Sequence, residues 1–435
     1  MGSLRIRPAK GPLRGVLRVP GDKSISHRAL LFSGIASGTS LLRGVSGGLD
    51  NLATARALEA MGARYESLEA GKLLRVQGVG LDGLKMPSGV IDCGNSGTTI
   101  RLLTGLLAGQ RFGSTLFGDA SLSKRPMRRV TEPLSKMGAR IDTEAGGLPP
   151  LRIHGGQALT GIDYTLEVAS AQVKSALLLA GLYADGETVV REPHPTRDYT
   201  ERMLPAFGVD IEFSPGFARL RGGQRLRATD IAVPADFSSA AFFLVAASIV
   251  PGSELRLRAV GLNPRRTGLL QALRMMGADI VEEHPSTHGG EPVADLVVRH
   301  APLHGIEVPE ALVPDMIDEF PALFIAAAHA RGATVVRGAA ELRVKESDRL
   351  AAMANGLRAL GLQVDETPDG ATIHPGELQA GVVESHGDHR IAMAFAVGAQ
   401  CARGDVRIGD VANVATSFPD FDGLARGAGM ALRTA

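Results

Sequence analysis

Residues 58–66 read LEAMGARYE, and close variants of this stretch return at 134–142 (LSKMGARID), 204–212 (LPAFGVDIE), 273–281 (LRMMGADIV) and 357–365 (LRALGLQVD). A weaker sixth copy, LARGAGMAL, lies at 424–432. In each copy a leucine-containing helical stretch precedes a glycine, and the glycines are 68 to 84 residues apart. A glycine in this position is typical of the left-handed residue that ends a helix before a strand. The sequence therefore predicts six structural repeats.

A second kind of helical stretch, rich in Ala, Leu and Gly and almost uncharged, precedes each copy. The six stretches are SHRALLFSGIAS, GTTIRLLTGLLA, AQVKSALLLAGL, SSAAFFLVAASIV, EFPALFIAAAHA and HRIAMAFAVGAQCA. A helix that is apolar on all sides is buried. Most of these stretches lead into a glycine and a β-rich segment, so each repeat alternates a buried helix, a strand, an exposed helix and a strand. This alternation predicts an α/β fold.

Six repeats divide most simply into two similar globular domains of three repeats each. A break near Val233–Pro234, before the fourth buried helix, predicts an N-terminal domain at residues 21–234 and a C-terminal domain at residues 235–435. Residues 1–20 precede the first repeat and have strand character. The sequence pattern alone does not decide which of the two domains they belong to.

Composition excludes several classes of function. The chain has 47 Lys and Arg against 46 Asp and Glu, and this balance argues against a nucleic-acid partner. Two cysteines exclude a disulfide scaffold and suit a reducing compartment. The longest apolar run, 241–250, is too short to span a membrane, and the N-terminus has no apolar signal segment. We therefore expect a cytoplasmic protein with no membrane partner.

The buried helices begin with unusually polar residues, as in Asp22-Lys23-Ser24, Asn95-Ser96-Gly97 and Asp388-His389-Arg390. Helix capping is the simpler explanation, and it suits the fourth helix, which begins at Asp236. Capping does not require Lys or Arg, which oppose the helix dipole. Cations at these ends indicate an anion site, because free amide groups and a guanidinium can then bind one phosphate or carboxylate. Several such ends together would bind a small molecule with several negative charges.

Metal and thiol chemistry fit the sequence less well. His386, Asp388 and His389 could ligate a metal, but no further spaced set of ligands accompanies them. Cys93 has no neighbouring cation that would lower its pKa, so a buried structural cysteine is favoured over a nucleophile. The charged segment 343–349 (RVKESDR) either begins a solvated helix or contributes to the anion site.

Six segments identify a family when they are taken together. In chain order they are GDKSISHR, GNSGTTIR, LSKRPM, SAQVKSALLLAGL, LRVKESDR and HGDHRIAM. The chain closely resembles the 5-enolpyruvylshikimate-3-phosphate synthase family of enolpyruvyl transferases over essentially its whole length. The resemblance implies an inside-out α/β barrel architecture, with three βαβαββ-type repeats around buried helices in each of two domains. It also implies that residues 1–20 join the C-terminal domain and that the active site lies in the cleft between the domains.

The resemblance implies a 3-phosphoshikimate 1-carboxyvinyltransferase of the shikimate pathway, which leads to chorismate and the aromatic amino acids and is the target of glyphosate. This reaction transfers the enolpyruvyl group of phosphoenolpyruvate to the 5-hydroxyl of shikimate 3-phosphate through a tetrahedral intermediate and releases phosphate. The resemblance implies that no metal or organic cofactor is needed. We also expect the protein to be a monomer, although the sequence does not give the oligomeric state.

The resemblance also assigns residues. For shikimate 3-phosphate it implies Lys23, Ser24, Arg28, Ser170, Gln172, Arg197, Asp318 and Lys345. For phosphoenolpyruvate it implies Lys23, Asn95, Gly97, Arg125, Gln172, Arg349 and Arg390. Asp318 resembles the base for the 5-hydroxyl, Glu346 the proton donor to the methylene carbon and the later base there, and Lys23 an assisting group.

Two positions and two alternative functions stay open. Asp315 is a second candidate for the base, and Thr416 stands where many relatives carry a lysine that contacts phosphate. The related transferase that acts on UDP-N-acetylglucosamine uses a loop cysteine, which GDASLSKRPM at 118–127 lacks. A non-catalytic repeat protein that binds small anions would gain nothing from Asp318 and Glu346, because carboxylates repel anions unless they transfer protons.

Overall fold

The computed structural model describes residues 2–69 and 72–434, and the chain forms two compact units of mixed α/β structure. The N-terminal unit comprises Gly21–Val233 together with the short stretch His288–Glu291. The C-terminal unit comprises the residues up to Pro20, Pro234–Thr287 and the residues from Pro292 onward. Each unit has its own hydrophobic core.

Thirteen α-helices lie in the part of the chain that the structure describes. In chain order they are α1 (Lys23–Ile35), α2 (Leu49–Ala60), α3 (Gly97–Ala108), α4 (Arg128–Lys136), α5 (Ala171–Gly181), α6 (Tyr199–Met203), α7 (Phe237–Ile249), α8 (Gly268–Met275), α9 (Phe320–Ala328), α10 (Arg349–Ala359), α11 (His389–Gly398), α12 (Val414–Ser417) and α13 (Phe421–Gly427). The six apolar stretches of the sequence form α1, α3, α5, α7, α9 and α11. Every residue of α7, α9 and α11 is buried, which confirms the prediction of buried helices. None of the described helices is long and apolar enough to cross a bilayer.

The described residues also form twenty-three strands. They are β1 (Leu4–Ile6), β2 (Arg14–Leu17), β3 (Ser37–Arg43), β4 (Arg64–Glu69), β5 (Leu73–Val79), β6 (Ile91–Asp92), β7 (Ser114–Phe117), β8 (Arg140–Glu144), β9 (Leu148–His154), β10 (Asp163–Thr165), β11 (Glu187–Arg191), β12 (Ile211–Ser214), β13 (Phe217–Arg221), β14 (Ile231–Ala232), β15 (Glu254–Gly261), β16 (Asp279–His288), β17 (Glu291–Arg299), β18 (Thr334–Val336), β19 (Val364–Thr367), β20 (Gly370–Ile373), β21 (Gly381–Glu384), β22 (Val406–Gly409) and β23 (Leu432–Thr434).

The sheets of the N-terminal unit repeat one topology. Their strand orders are β14-β3-β5-β4, β6-β7-β9-β8 and β10-β11-β13-β12. In each sheet the first pair is parallel and the remaining pairs are antiparallel. In the second and third sheets a buried helix, α3 or α5, joins the two strands of the parallel pair. In the first sheet α1 precedes β3, and its parallel partner β14 comes from the end of the unit. In all three sheets an outer helix leads to the antiparallel hairpin. The predicted α/β class and the βαβαββ repeat are confirmed.

The sheets of the C-terminal unit have the orders β2-β15-β17-β16, β18-β20-β19 and β21-β22-β1-β23. The N-terminal segment supplies two of these strands: β2 pairs in parallel with β15, and β1 lies antiparallel to β22 and β23. In the three-stranded sheet, isolated parallel bridges such as Glu307 to Val335 stand in place of a fourth strand. The N-terminal unit is closed in the same way, because β14 near its end pairs with β3 near its start.

The repeat glycines have the conformation that the sequence pattern predicts. Their φ angles are all positive, between 79° and 110°, at Gly62, Gly138, Gly208, Gly277, Gly361 and Gly429. A residue with a Cβ is disfavoured there, because the side chain crowds the backbone when φ is positive. These glycines turn the chain from the end of each outer helix toward the next strand, and the prediction of a helix-ending glycine is confirmed.

Close helix packing in the N-terminal core depends on another glycine. Gly105 lies in the middle of α3, and a Cβ built on it would come within 2.1 Å of the carbonyl oxygen of Ala176 on α5. The backbones of α3 and α5 therefore touch, and their first turns are held close to each other. This packing brings the polar starts of two buried helices together.

Candidate functional site

The buried helices of the N-terminal unit begin with side-chain caps. The carboxylate of Asp22 and the hydroxyls of Ser96 and Ser170 each accept a hydrogen bond from the amide three residues later, at 2.8, 3.1 and 3.4 Å. In the C-terminal unit Asp236 and Asp388 accept from the amide two residues later, both at 2.9 Å. Capping thus explains these five residues, including Asp236 as predicted, but it leaves the neighbouring cations without a role.

Lys23 is the first cation of α1. Its ammonium forms an ion pair with Asp50, at the start of α2, and its backbone carbonyl accepts a hydrogen bond from the side-chain amide of Asn51 at 2.9 Å. Ser24, the next residue, is partly exposed. Sequence analysis did not single out Asp50, since an acidic residue in a first helical turn is common.

Arg28, predicted as a ligand of shikimate 3-phosphate, is only 2% exposed. Its guanidinium donates to the hydroxyls of Thr200 at 2.7 Å and Ser175 at 2.6 Å, and to the carbonyl of Ser24 at 2.9 Å. Burial is the main cause of a lowered Arg28 pKa, although the nearby carboxylate of Glu201 acts in the opposite direction. Arg28 therefore ties α1 to α5 and α6 and fixes the backbone of Ser24.

Asn95 and Arg125 come together beside the start of α3. The amide of Asn95 donates to Asp119 at 2.7 Å, and its oxygen accepts from the guanidinium of Arg125 at 3.0 Å. Arg125 also donates to the hydroxyl of Ser121 at 3.2 Å. The structure thus brings together two residues predicted to bind phosphoenolpyruvate, although 30 positions separate them in the sequence.

Gln172 joins the starts of α3 and α5. Its oxygen accepts from Arg101 at 2.7 Å, and its amide donates to the hydroxyl of Thr98 at 2.9 Å. Arg101 also donates to the carbonyl of Gly97 at 3.2 Å. A Cβ on Gly97 would lie 2.8 Å from a terminal nitrogen of Arg101 and 3.5 Å from one of Arg125. Gly97 is therefore next to two guanidinium groups, of which sequence analysis assigned only Arg125 to the site.

Two further predicted residues of the N-terminal unit are partly exposed. Ser170 caps α5, and Arg197 lies in the segment between β11 and α6. The structure therefore gathers the nine predicted residues of this unit at the starts of three buried helices and on two adjoining segments: Lys23, Ser24, Arg28, Asn95, Gly97, Arg125, Ser170, Gln172 and Arg197.

Arg349 is the centre of the site in the C-terminal unit. Its side chain is 1% exposed, and its terminal nitrogens lie 2.6 Å from Glu346 and 3.3 Å from Asp318. Its Nε lies 2.8 Å from Asp388. Burial alone would lower the pKa of Arg349, but these three carboxylates raise it above its ordinary value. A permanently charged guanidinium therefore links both carboxylates that the family resemblance assigns to catalysis.

Asp318 also faces two more cations. One of its oxygens lies 3.3 Å from Arg266, and its carbonyl accepts from Arg390 at 3.1 Å. Asp315, the alternative base, lies instead 3.3 Å from Arg265. The structure thus places Asp318 and Glu346 on the guanidinium of Arg349 and Asp315 beside Arg265.

Arg266 was missed by sequence analysis. Its side chain is 4% exposed and lies 3.0 Å from the fully buried carboxylate of Glu319 and 3.6 Å from Asp236. No motif contains Arg266, and the doublet Arg265-Arg266 before α8 reads as an ordinary surface pair. Only the packing of α8 against the start of α9 reveals its place.

Asp388 is bonded to Arg349. It accepts hydrogen bonds from Arg349 and, at 3.1 Å, from the hydroxyl of Ser347. Burial by itself raises the pKa of Asp388, but Arg349 and the adjacent His389 more than offset this effect and the pKa is lowered. Among the residues that the structure describes, no three His, Cys, Asp or Glu side chains form a group that could hold a metal ion.

The segment 343–349 has both of the features that the sequence left open. Its first two residues end a short 3₁₀ helix, Ala340–Val344, and Asp348 caps the start of α10. Lys345 lies 3.5 Å from Glu341 and is partly exposed, whereas Arg349 is buried. The interpretation as a solvated segment therefore fits Lys345, whereas Arg349 at the end of the segment is buried.

Three remaining candidates are also located. The Nε of Arg390 is buried and has no hydrogen-bond partner within the described residues, so this guanidinium retains a donor. The hydroxyl of Thr416 donates to the carbonyl of Asn413 at 2.6 Å, within the first turn of α12. Burial and the neighbouring Asp92 raise the pKa of Cys93 well above its ordinary value, which removes it as a thiolate nucleophile.

Comparisons with known proteins agree with this geometry. The model of the family EPSP synthase (3-phosphoshikimate 1-carboxyvinyltransferase) matches residues 8–424. The chain belongs to this family. A 3-phosphoshikimate 1-carboxyvinyltransferase from Xanthomonas campestris pv. campestris (strain B100) is 71% identical over 420 residues, which cover 97% of this chain and 96% of the relative. The family and the transferase class predicted from the six segments are confirmed.

Solved structures support the same family. An EPSP synthase from Acinetobacter baumannii superposes with a TM-score of 0.92 and 49% identity, covering 100% of both chains. The enolpyruvyl transferase NikO from Streptomyces tendae gives a TM-score of 0.80 at 18% identity, covering 100% of this chain and 99% of the other. At that identity the second likeness concerns the fold alone. Among the functions considered from the sequence, the comparisons do not favour the alternative transferase that acts on UDP-N-acetylglucosamine.

Proposed function

We propose that this member of the EPSP synthase family transfers the enolpyruvyl group of phosphoenolpyruvate to the 5-hydroxyl of shikimate 3-phosphate and releases phosphate. The observation that carries the proposal is the shared guanidinium of Arg349, which lies 3.3 Å from Asp318 and 2.6 Å from Glu346. Two carboxylates at fixed positions on one cation suit a reaction that moves protons at two different atoms.

The anion-binding part of the proposal rests on the cations described above. In the N-terminal unit, Lys23, Arg101 and Arg125 stand at the starts of α1 and α3, where amide groups and the helix dipole favour negative charge. In the C-terminal unit, Arg349 and Arg390 stand at the starts of α10 and α11. We propose that Lys23, Ser24, Arg28, Ser170, Gln172, Arg197, Asp318 and Lys345 serve shikimate 3-phosphate. We propose that Lys23, Asn95, Gly97, Arg125, Gln172, Arg349 and Arg390 serve phosphoenolpyruvate.

In the addition step, Asp318 accepts the proton of the 5-hydroxyl, and the resulting oxygen forms a bond to C2 of phosphoenolpyruvate. Glu346 in its protonated form donates a proton to C3, so that the methylene carbon becomes a methyl group. The product is a tetrahedral intermediate in which C2 holds the phosphate, the carboxylate, the methyl group and the new ether oxygen. Arg349 and the other cations stabilise the negative charge of the reacting groups.

In the elimination step, the carboxylate of Glu346 removes a proton from the C3 methyl group. The C2–C3 double bond forms again as the bond from C2 to the phosphate oxygen breaks, and phosphate leaves. The proton that Asp318 took from the hydroxyl goes to the departing phosphate, and Lys23 assists at the hydroxyl or the leaving group. The atoms balance with the two substrates and these proton transfers alone.

We further propose that the protein acts as a monomer in the cytoplasm. The pKa of Cys93 is raised well above its ordinary value, and that of Cys401 is raised to about 11, both by burial. Both cysteines are free thiols, as expected in a reducing compartment. Light scattering of the purified protein should give the mass of one chain, and a dimer mass would contradict the monomer.

An assay of phosphate release tests the proposed reaction. The full chain, incubated with phosphoenolpyruvate and shikimate 3-phosphate together, should release phosphate in continuous turnover, and either substrate alone should give none. Replacing shikimate 3-phosphate by UDP-N-acetylglucosamine should also give no release. Phosphate release with UDP-N-acetylglucosamine, or none with shikimate 3-phosphate, would contradict the proposal.

A further inference from the structure

Three buried charged residues of the N-terminal unit have no part in the chemistry above, and we call them the lysine triad: Lys174, Glu192 and Glu201. The ammonium of Lys174 lies 2.7 Å from an oxygen of Glu192 and 2.7 Å from an oxygen of Glu201. None of the three side chains is more than 3% exposed. Removing charges from water is costly, and apolar side chains often stabilise a core equally well or better. The triad therefore calls for a reason other than stability.

The positions of the triad residues suggest that reason. Lys174 lies in the first turn of α5, four residues after the cap Ser170. Glu192 directly follows β11, and Glu201 lies in α6. The segment 193–198 runs between the two glutamates and contains Arg197. Both ends of this segment are therefore bonded to a single ammonium group on α5.

Glu192 also holds the segment from within. One of its oxygens accepts a hydrogen bond from the backbone amide of Thr196 at 3.2 Å, and the other accepts from the hydroxyl of Thr196. Thr196 is the residue immediately before Arg197. The carboxylate that Lys174 fixes thus determines the backbone position from which the Arg197 side chain extends.

The positive charge of Lys174 offsets the negative charges of Glu192 and Glu201 beside the proposed phosphate site. Burial alone would lower the pKa of Lys174, but Glu201 and Glu192 raise it above its ordinary value, so the ammonium group stays charged. Without Lys174, two buried carboxylates would be left beside the segment that contains Arg197. Such a charge would repel a phosphate group, since buried charges are weakly screened.

We propose that Lys174 is a positioning residue for the binding of shikimate 3-phosphate. Lys174 does not contact the substrate, but it fixes the position of Arg197 relative to Ser170. The inference rests on the proposed function, because it names the substrate of that same site. Val173 and Leu177, which lie beside Lys174 on α5, are apolar and buried, so packing alone would be satisfied by a leucine or methionine at position 174. A lysine at this position can in addition form ion pairs with Glu192 and Glu201, and so connects α5 to both ends of the segment 193–198.

Calorimetric titration of shikimate 3-phosphate into the Lys174→Met variant tests the inference without requiring turnover. The Kd for shikimate 3-phosphate should rise by ~10-fold or more, because misplacing one binding group by about 1 Å is enough for such losses. At saturating shikimate 3-phosphate, the KM for phosphoenolpyruvate should change by less than ~3-fold, since Asn95, Gly97 and Arg125 keep their contacts. Lys174→Arg should recover most of the lost affinity.

Leu177→Ala is the matched control, because it weakens the same helix by leaving a cavity and does not touch the triad. It should lower the melting temperature and leave the Kd unchanged. Thr196→Val is the second test if Lys174→Met does not fold, and removal of this one hydroxyl should raise the Kd for shikimate 3-phosphate several-fold. An unchanged Kd in whichever of the Lys174→Met and Thr196→Val variants folds, or an equal rise in Leu177→Ala, would overturn the inference. A wild-type protein that binds shikimate 3-phosphate but releases no phosphate would contradict the proposed reaction instead.

Discussion

Asp318 and Glu346 are bonded to different terminal nitrogens of the same guanidinium, that of Arg349, at 3.3 and 2.6 Å. The two carboxylates are 28 positions apart in the sequence, and each lies just before or near the start of a helix of the C-terminal unit. Arg349 is itself fixed by Asp388, a buried carboxylate that also caps α11. The relative position of the two proposed catalytic groups is therefore set by one cation and the starts of three helices.

The Glu346→Gln and Asp318→Asn variants should each lower kcat by at least ~10²-fold, because each removes a group that gives or takes a proton in the reaction. The KM values should change less than kcat, since the cations that bind the substrates remain. Steady-state kinetics with both substrates measures this. Asp315→Asn is the control, because Asp315 lies against Arg265, and it should retain near-normal turnover. Normal turnover in Asp318→Asn combined with a large loss in Asp315→Asn would reverse the assignment of the base.

Gly97→Ala should raise the ratio of the glyphosate Ki to the phosphoenolpyruvate KM by ~10²-fold or more. We propose that glyphosate, the longer molecule, takes the place of phosphoenolpyruvate in this site, so that an added methyl group should reject glyphosate more strongly. The new methyl would meet the end of the Arg101 side chain at 2.8 Å, a flexible group that can move. Some increase in KM is therefore expected while turnover persists. Competitive inhibition assays on both forms measure the ratio, and an unchanged ratio would remove Gly97 from contact with the ligand.

In Asp388→Asn, the free energy of unfolding should fall less steeply than in the wild type as the pH is lowered. The folded-state pKa of Asp388 is lowered below its ordinary value of 3.8, mainly because Arg349 and His389 outweigh burial. A lowered pKa means that the unfolded chain binds this proton more readily, so the contribution of Asp388 is fully present above the unfolded pKa and is lost as the pH falls through the folded pKa. The free energy of unfolding, measured by urea unfolding at several pH values between pH 3 and pH 6, should depend less steeply on pH in the variant. An identical slope would show that Asp388 and Arg349 do not stabilise the folded protein as an ion pair.

Arg266→Met should destabilise the C-terminal unit and lower turnover, whereas Arg265→Met should do neither strongly. Arg266 is buried against Glu319, and breaking such a pair costs about 3–5 kcal/mol because a buried charge is left unpaired. Loss of Arg266 also removes one of the cations beside Asp318. Thermal melts and kcat of the two variants provide the comparison. Equal behaviour of the two would show that the position of Arg266 in the cluster has no consequence.

The repeated elements of the fold are predictable because they depend on local patterns. A helix that is apolar on all sides must be buried, and a glycine after a helix must often adopt positive φ, so α7, α9 and Gly62 need no long-range information. The places of β1 and β2 are different, because Leu4 pairs with Ile408 and Leu17 with Leu257. Pairing across such distances in the sequence leaves no local pattern, and only the resemblance to a family suggested it.

Some residues of the candidate site can likewise be predicted from local sequence, and others cannot. Lys23, Asn95 and Arg349 belong to recognisable segments, whereas Arg266 and Asp50 do not, because an Arg doublet or an acid near a helix start is common on any surface. Sequence analysis favoured Asp318 over Asp315 as the base but had no side-chain contacts with which to compare them. They are three positions apart, and the structure adds that Asp315 lies beside Arg265 whereas Asp318 lies beside Arg349.

The central claim is that Glu346 gives a proton to C3 of phosphoenolpyruvate and later takes one back, and turnover in deuterium oxide tests it most directly. During addition the exchangeable proton of Glu346 is a deuteron, so the methyl group of the intermediate acquires deuterium, and elimination leaves part of it in the product. Mass spectrometry should therefore find deuterium in the enolpyruvyl methylene of the wild-type product, formed together with phosphate. Single-turnover samples of Glu346→Gln should show almost none. Wild-type product without deuterium, or full deuterium incorporation in Glu346→Gln, would contradict the account.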